Sequence, residues 1–425
     1  MITAENLKWL EAYRQAPPNL GLERVQELLK RLGDPQNRLS LIHVAGTNGK
    51  GSTIAHLNQL LQAHGLKVGI FNSPYLVRYS EQFKINDQEI SPADLNALLS
   101  EYHQTHLTPQ IPGLTEFEIM TALALDYFAR QAVDVAIIEV GMGGRLDSTN
   151  VIQPDLTILT NVALDHTTFL GDTLAAIAYQ KAGIIKPQTP LVCGDLQPEA
   201  QAVVGQIASD LRVGLWQSPK AFEGRYLQSL PAGETFEYIE NGHRVSSYTT
   251  PLLGKHQVAN AALALRAAGL YAEMKGYPPL SSGEVQEALN RVVWAGRMER
   301  ISERPLIYVD GAHNPHAIKP LVENVSGRFA GSRVRVLFAC IQTKALEEMV
   351  ALLEGIPNVE LLLTTFDDPR AYSSEAMEAV AAARGHRVVD WKDFLDGYEA
   401  GEKEVLLITG SLYFIGTVKK ARGWK

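Results

Sequence analysis

Apolar positions in the first two-thirds of the chain alternate between two patterns. Short β-rich runs such as LSLIHVAG (39–46) and KVGIFN (67–72) are followed by longer segments with helical spacing. In the segment after the first run, Ile54, Leu57 and Leu61 recur on one helical face, and Gly65 is placed as a C-cap. The runs VDVAIIEVG and DLTILTNVA are largely apolar, as expected for parallel strands covered on both faces. Repeated β-then-α order predicts a doubly wound, mostly parallel α/β sheet.

Local signals fix where several elements begin. Ser91 followed by Pro92 predicts a helix start, and Thr115 with Glu118 has the spacing of a capping box. The dipeptide Asn241-Gly242 predicts a hairpin, and a further helix follows it in KHQVANAALALRAAGLYAEM.

A second series of β and α segments starts after WAGRMER (294–300). It includes PLIYVDGA, RVRVLFACI, VELLLTTF and EVLLITGS, separated by helical patterns. We therefore predict two domains. Residues 1–296 form a P-loop-type α/β domain, and residues 297–425 form a smaller, Rossmann-like α/β domain.

Bulk properties narrow the class of protein. A chain of 425 residues is too long for one ordinary core, and its 46% hydrophobic content is that of a folded soluble protein. The net charge of -8 gives no reason to expect nucleic acid, so an anionic substrate would need a local basic pocket. Neither a signal peptide nor a membrane span is visible, and Cys193 and Cys340 lie in apolar runs as buried free thiols would. We expect a cytoplasmic protein.

The stretch HVAGTNGKGST (43–53) lies between a strand and a helix but does not match the common phosphate loop G-x-x-x-x-G-K-[ST]. Val44 stands where that pattern has its first glycine, and Gly51 stands where it has a hydroxyl. Glycine and asparagine are also ordinary turn residues. Nevertheless, glycines flanking Lys50 at a helix N-terminus favour a phosphate site, because backbone N–H groups and the lysine attract anions.

If the loop binds ATP, an accompanying Mg²⁺ needs oxygen ligands from elsewhere. Ser73 follows the second strand, Glu139 ends a buried strand, and Asp165 and His166 follow another. A buried carboxylate is costly unless it is paired or bound to metal. Because the carboxyl ends of parallel strands share one sheet edge, these residues predict a metal–phosphate site beside Lys50.

The pattern resembles the folylpolyglutamate synthase/dihydrofolate synthase family, relatives of the Mur peptidoglycan ligases. The resemblance runs nearly end to end. It includes the loop above and the motifs SPYLVRYSEQFKIN, TEFE, EVGMGGRLDSTN, TNVALDHTTFLG, QKAGIIK, GKHQVANA, WAGRMER, VDGAHNPHA and TGSLYF. Glycine after the lysine is typical of the folate branch. The N-terminal domain would correspond to the ATP-binding central domain of the Mur ligases, and the C-terminal domain would bind glutamate.

The resemblance implies roles for individual residues. ATP would be bound by Asn48, Gly49, Lys50, Gly51, Ser52, Asn260, Arg297 and Asp310, the last three acting from the domain interface. Two Mg²⁺ ions would be ligated by Ser73, Glu139, His166 and a carbamylated Lys181. The residues carrying the chemistry would be Lys50, His166, Lys181 and His313. From the residues alone, Lys181 could equally be a plain phosphate-binding lysine.

Substrate contacts follow from the same resemblance. Folate or pteroate would contact Thr115, Glu116, Phe117, Glu118, Leu146, Asp147 and Ser148, and glutamate would contact Asp310, His313 and Ser411. A capping box alone also explains Thr115 and Glu118, whereas RLDSTN is harder to explain as structure. Two departures from the family pattern are Ala295, where relatives have proline, and Thr343-Lys344, where many relatives carry an acidic residue.

The predicted activity is ATP-dependent addition of L-glutamate to the γ-carboxyl of a folate, through an acyl phosphate, with release of ADP and phosphate. Synthesis of dihydrofolate from dihydropteroate remains open. Alternatives are a Mur-type ligase, which would have an N-terminal domain for a nucleotide sugar ahead of the loop, and a regulatory nucleotide-binding module, which needs no second metal site. We expect only small-molecule partners, no nucleic acid or membrane, and, from the resemblance, a monomer.

Overall fold

A mostly parallel sheet of eight strands organises the N-terminal part of the chain in the computed structural model, which describes residues 2–14, 20–105 and 111–424. In chain order the strands are β1 (Leu41–Ala45), β2 (Val68–Phe71), β3 (Phe83–Ile85), β4 (Gln88–Glu89), β5 (Val135–Glu139), β6 (Leu156–Leu159), β7 (Leu191–Cys193) and β8 (Leu215–Gln217). Their spatial order is β4-β3-β2-β5-β1-β6-β7-β8. Strand β3 pairs antiparallel with β2, and β4 pairs antiparallel with β3. The first strand is therefore flanked by β5 and β6.

Helices precede, connect and follow these strands. They are α1 (Ala4–Arg14), α2 (Glu23–Arg31), α3 (Lys50–Ala63), α4 (Pro92–Gln104), α5 (Glu116–Arg130), α6 (Thr167–Leu170), α7 (Leu174–Lys181), α8 (Pro198–Asp210), α9 (Lys255–Lys275) and α10 (Ser282–Asn290). One core joins the sheet to α1, α2, α4 and α5, with Ala136 and Ile138 packed among residues such as Leu28 and Leu123. A second core joins β6 and β7 to α7 and α8.

The remaining strands form two further sheets. Strands β9 (Phe222–Leu230), β10 (Gly233–Glu240) and β11 (His243–Thr250) pair in the order β11-β10-β9. A six-stranded sheet contains β12 (Glu299–Glu303), β13 (Leu306–Asp310), β14 (Arg333–Phe338), β15 (Val359–Leu363), β16 (Arg387–Val388) and β17 (Glu404–Thr409). Its order is β12-β13-β17-β14-β15-β16, and only β12 is antiparallel to its neighbour. The helices of this part are α11 (Pro315–Arg328), α12 (Leu346–Leu353), α13 (Ser374–Arg384), α14 (Trp391–Asp396) and α15 (Leu412–Arg422).

The chain divides into two compact units. The first contains residues 1–225, 237–248 and 259–292, and the second contains 226–236, 249–258 and 293–425. Each unit has its own sheet and core, which confirms the predicted fold class of a large, mostly parallel α/β sheet followed by a smaller α/β sheet. The domain boundary at 296/297 remains a prediction.

Several local predictions are confirmed. The Ser91 side chain accepts from Asp94 N with Pro92 in the first turn, and Thr115 and Glu118 form a capping box. Asn241 (φ 49°) and Gly242 (φ 79°) are both left-handed, as a type I′ hairpin turn requires. Both cysteines are buried and free. In the described ranges, no helix is both long and apolar enough to span a bilayer.

Candidate active site

The glycine-rich loop between β1 and α3 is held by the loop that follows β6. Thr47 N donates to Asn161 O at 3.0 Å, and Asn48 N donates to Asn161 Oδ1 at 2.9 Å. In return, Thr160 Oγ1 donates to Asn48 O at 2.5 Å. The two loops meet because β1 and β6 are neighbours in the sheet. The conformation of the glycine-rich loop therefore depends on residues more than a hundred positions later.

Gly49 marks the start of α3 at a position where a side chain would be strained. Its φ is 83°, and a Cβ there would lie 2.4 Å from Asn260 Oδ1. The helix begins at Lys50, so the backbone N–H groups of Lys50, Gly51 and Ser52 belong to its first turn. N–H groups at this position have no earlier helical carbonyl to bind, which suits an anion.

Lys50 and Glu139 meet beside the loop. Lys50 Nζ donates to Gly46 O at 3.1 Å and Thr47 O at 3.4 Å, and it lies 3.9 Å from Glu139 Oε1. Glu139 ends β5, opposite Val44 of β1, and its Oε2 accepts from Ser73 N at 3.2 Å. The predicted phosphate-binding lysine and two predicted metal ligands are thus neighbours at the carboxyl edge of the sheet.

Lys181, the last residue of α7, is a buried cation, with 4% of its surface exposed. Burial, and then repulsion from Lys50, lower the pKa of its ammonium to about 7, against the attraction of Asp165 and Asp147. This environment therefore disfavours the charged ammonium relative to the neutral amine. Asp165 precedes His166, an exposed residue with a left-handed backbone (φ 51°) at the start of α6.

The described residues offer no ready-made metal cage. No group of three or more His, Cys, Asp or Glu side chains gathers as a metal site within 2–14, 20–105 and 111–424. The predicted set has only Glu139 and His166 of those types, with a serine hydroxyl and a lysine. Its donors suit Mg²⁺ only if oxygen ligands are added, by conversion of Lys181 to a carbamate or by bound phosphate. Ser73 and Glu139 are hydrogen-bonded neighbours, and their role as metal ligands stays a prediction.

Asp147 has a structural role that the sequence did not indicate. Its carboxylate accepts from Met142 N at 2.7 Å, Thr149 N at 3.0 Å and Thr149 Oγ1 at 2.5 Å, and burial raises its pKa. It therefore organises the 141–150 loop, so RLDSTN does have a structural explanation, contrary to expectation. On either side of it, Leu146 is 40% exposed and Ser148 is half-buried. A folate contact at these three residues stays a prediction.

The residues of TEFE are similarly engaged. Glu118 is buried, caps α5 and pairs with Arg24 at 3.0 Å. Glu116 pairs with Arg14 at 2.8 Å and accepts from Tyr79 Oη at 2.7 Å, while Phe117 stacks on Phe71. Thr115 caps the helix. Their contact with folate also stays a prediction.

The predicted glutamate residues lie at strand ends of the second unit. Buried Asp310, whose pKa burial raises despite the nearby Arg297, accepts from Met298 N and Ala312 N, each at 2.8 Å. His313 Nδ1 is 2.8 Å from Gly311 O, and Ser411 caps α15 by accepting from Tyr413 N at 3.1 Å. The pairing of β13 with β17 brings Asp310 opposite Thr409, two residues before Ser411. The interface role predicted for Asn260, Arg297 and Asp310 stays a prediction.

Comparison with known proteins identifies the family. Residues 44–268 match the Mur ligase middle domain, and residues 296–412 match the Mur ligase glutamate ligase domain. The chain is 37% identical to the dihydrofolate synthase/folylpolyglutamate synthase of Bacillus subtilis over 424 residues, covering 97% of each chain. It belongs to the folylpolyglutamate synthase/dihydrofolate synthase family.

Solved structures of this family agree with the fold. The folylpolyglutamate synthase of Mycobacterium tuberculosis, complexed with ADP and AMPPCP, superposes with a TM-score of 0.87 at 28% identity, covering 99% of each chain. A folylpolyglutamate synthase complex with AMPPCP and folate gives 0.84 at 33% identity, covering 99% of this chain and 100% of that one. The recognition made from sequence motifs is therefore confirmed.

Sequence reasoning missed two sets of residues near this site. Thr160 and Asn161 hold the glycine-rich loop, although their motif, TNVALDHTTFLG, predicted only metal ligands. Arg145 is a cation within the 141–150 loop and Lys186 is a cation that contacts it, although they belong to the motifs EVGMGGRLDSTN and QKAGIIK. Neither role leaves a sequence signal, because both depend on contacts between distant segments.

Proposed function

We propose that this chain is an ATP-dependent ligase that joins L-glutamate to the γ-carboxyl of a reduced folate. The observation that carries the proposal is the convergence of Lys50, Glu139 and Ser73 beside a glycine-rich helix start, at one edge of a parallel sheet. That edge is where α/β folds of this kind bind nucleotides. Family membership, and relatives solved with ATP analogues and with folate, support the same substrates here.

The reaction needs an activated acyl group. A folate γ-carboxylate oxygen attacks the γ-phosphorus of ATP, ADP leaves, and an acyl phosphate remains. The glutamate amine, after losing a proton, attacks the acyl carbon, and phosphate leaves as the amide forms. In this scheme Lys50 and the N–H groups of the α3 start hold the phosphates and offset the charge of the transferring group.

Ser73, Glu139, His166 and carbamylated Lys181 would hold two Mg²⁺ ions, which neutralise phosphate charge when bound. The burial of Lys181 supports carbamylation, because only a neutral amine adds to CO₂, and the product is a carboxylate-like oxygen ligand. The alternative is that Lys181 is a plain phosphate-binding lysine.

The remaining predicted residues would supply binding and orientation. Asp310, His313 and Ser411 would position glutamate, with His313 guiding or deprotonating its ammonium, and Arg297 would neutralise the transferring phosphate. Phe117 and its neighbours in TEFE, with the 146–148 segment, would contact the folate. We keep a monomeric state as a prediction.

An ADP-release assay tests the proposal. The enzyme, Mg²⁺-ATP and L-glutamate are combined separately with dihydropteroate, tetrahydrofolate and its triglutamate, and products are resolved by mass spectrometry. Glutamate-dependent ADP release with a product heavier by one glutamyl residue supports the ligase. Activity with dihydropteroate would add the dihydrofolate synthase reaction, and activity with none of the three would overturn the proposal.

A further inference from the structure

Two cations lie at the 141–150 loop without an acidic partner: Arg145 belongs to the loop, and Lys186 contacts it. Arg145 packs with its guanidinium 4.1 Å above the Tyr179 ring, and its Nε is buried with no hydrogen-bond partner. Lys186 Nζ donates to the backbone oxygen of Asn150 at 3.3 Å. Within the described part of the chain, neither cation has a carboxylate oxygen within 4.0 Å.

The backbone around these cations is fixed by its own hydrogen bonds. Arg145 N donates to Gln180 O at 2.7 Å, and Asn150 Nδ2 donates to Arg145 O at 3.0 Å and to Gly183 O at 3.1 Å. A Cβ on Gly183 would lie 2.3 Å from Arg145 Cβ. The loop and the end of α7 are therefore in direct contact. The two cations lie where these segments pack together.

Holding two like charges together without a counter-charge is unfavourable. Burial, and then the nearby Arg145, lower the pKa of Lys186. Other buried or half-buried arginines of this unit have acidic partners, as Arg24 has Glu118 and Arg266 has Glu240. The nearest acidic residue of the loop, Asp147, is occupied by Met142 N and Thr149. Such an arrangement is expected where an anionic ligand completes the charge balance.

The position of the pair limits what that anion can be. The backbone N–H of Arg145 donates to the carbonyl oxygen of Gln180, the residue before Lys181, and Arg145 immediately precedes Leu146. Arg145 therefore lies between the proposed reacting centre and the proposed folate contacts. The nucleotide phosphates have their own site at the α3 start. Of the other two anionic substrates, glutamate is assigned above to Asp310, His313 and Ser411 of the second unit. The folate remains, and its glutamate tail carries one or more carboxylates that do not react. Tyr179 and Leu146, 48% and 40% exposed, offer apolar surface to the methylene groups of such a tail.

We infer that Arg145 and Lys186 form a subsite that binds a carboxylate of the folate glutamate tail other than the one being extended. The planar guanidinium, backed by the Tyr179 ring, matches a carboxylate in shape and charge, and Lys186 adds a second positive charge. The inference rests on the proposed function and names the part of the substrate that these residues recognise.

Steady-state kinetics of Arg145→Gln and Lys186→Gln test this subsite, with Lys220→Gln, an exposed lysine of the same unit, as the matched control. We expect the KM for tetrahydrofolate triglutamate to rise about tenfold in each variant, because each loses one charge-assisted hydrogen bond. The KM for ATP should stay within about twofold, since the phosphates bind elsewhere. Dihydropteroate has no tail, so its KM, or its Ki if it is not a substrate, should also be unchanged.

A substrate change gives the sharper result. Tetrahydrofolate whose α-carboxylate is replaced by a carboxamide should bind the wild-type enzyme more weakly. If Arg145 binds that carboxylate, Arg145→Gln should weaken binding of the carboxamide only slightly further, so the two changes are non-additive in a double-mutant cycle. If the subsite instead binds a carboxylate of another glutamyl residue of a longer tail, this non-additivity appears only with tetrahydrofolate triglutamate that carries α-carboxamides. Equal losses with dihydropteroate and tail-bearing folates would indicate a structural role, and a raised KM for ATP would assign the pair to the nucleotide; either would overturn the inference.

Failure of the proposed function would be visible separately. It would appear as absence of ADP release by wild type with every folate. In that case the subsite is tested by fluorescence titration with pteroyl-triglutamate, comparing wild type with both variants. Equal affinities would then refute the subsite.

Discussion

The backbone N–H of Ser73 donates to Glu139 Oε2 at 3.2 Å, which joins the loop after β2 to the end of β5. The other oxygen of the same carboxylate faces Lys50 at 3.9 Å. Glu139 is therefore a bridge between the lysine of the glycine-rich loop and a serine 23 residues further along the chain. In a common phosphate loop the hydroxyl would directly follow the lysine, where this chain has Gly51.

Ser73→Ala should lower Mg²⁺-dependent turnover about 10- to 100-fold, whereas Ser52→Ala should lower it much less. The reason is that the backbone N–H of Ser73 is bonded to Glu139, a second proposed metal ligand, while Ser52 is buried in the first turn of α3, where its carbonyl is bonded to His56. The measurement is kcat as a function of Mg²⁺ concentration for both variants. A larger loss in Ser52→Ala would reject the displaced metal ligand but leave the ligase assignment intact.

Gly49→Ala should raise the KM for ATP about tenfold or more and cost roughly 1–3 kcal/mol of stability. A Cβ at this left-handed position would meet Asn260 Oδ1 at 2.4 Å, so either the Asn260 side chain or the start of α3 must shift. Gly65→Ala is the matched control, since Gly65 has a similar φ of 80° but no atom within 4 Å of the added Cβ. If both variants bind ATP like wild type, the tight approach at Gly49 does not shape the phosphate site.

Lys181→Ala and Lys50→Ala should respond to opposite rescue agents. If Lys181 acts as a carbamate, acetate or propionate should restore part of the activity of Lys181→Ala. Methylamine should not restore it, because the lost group is an anion. Lys50→Ala should show the reverse, since its lost group is a cation. Rescue of Lys181→Ala by the amine alone would favour the plain phosphate-binding lysine. A carbamate resonance in the NMR spectrum of wild type supplied with ¹³CO₂ would detect carbamylation independently.

His56→Gln should reduce the amount by which the free energy of unfolding falls when the pH is lowered. Burial lowers the pKa of His56 to about 4, against a hydrogen bond to Ser52 O that raises it. Between pH 6.5 and about 4 the unfolded chain therefore holds the extra proton, so the free energy of unfolding falls as pH falls. For this residue the loss is at most roughly 3 kcal/mol.

Chemical denaturation at several pH values between 4.5 and 7 measures this effect. His243→Gln, at an exposed position of β11, is the control and should follow the wild-type curve. His43 is also buried with a lowered pKa, so His56→Gln should reduce the slope without abolishing it. Parallel curves for wild type and His56→Gln would contradict the assignment of this proton to His56.

Alternation of strand and helix patterns was sufficient to predict the fold class. The strand ends carrying Glu139 and Ser73 could be predicted too, because parallel strands bring their carboxyl ends to one edge. Asp147 shows the limit: its carboxylate binds the backbone of its own loop, and only the folded loop reveals that. Arg145 shows another, since the absence of an acidic partner depends on every segment packed around it. Periodicity describes one element at a time and carries no information on such contacts.

The bonds from Thr160 and Asn161 to the glycine-rich loop have a consequence for evolution and engineering. A loop whose backbone is held by another loop cannot be exchanged by itself without losing those hydrogen bonds. Introducing the common phosphate-loop sequence at 43–53 alone would leave Thr160 and Asn161 shaped for a different backbone. Such a graft should succeed only when the 160–163 segment is exchanged with it. The two segments, distant in the chain, should therefore change together whenever this nucleotide site is inherited or redesigned.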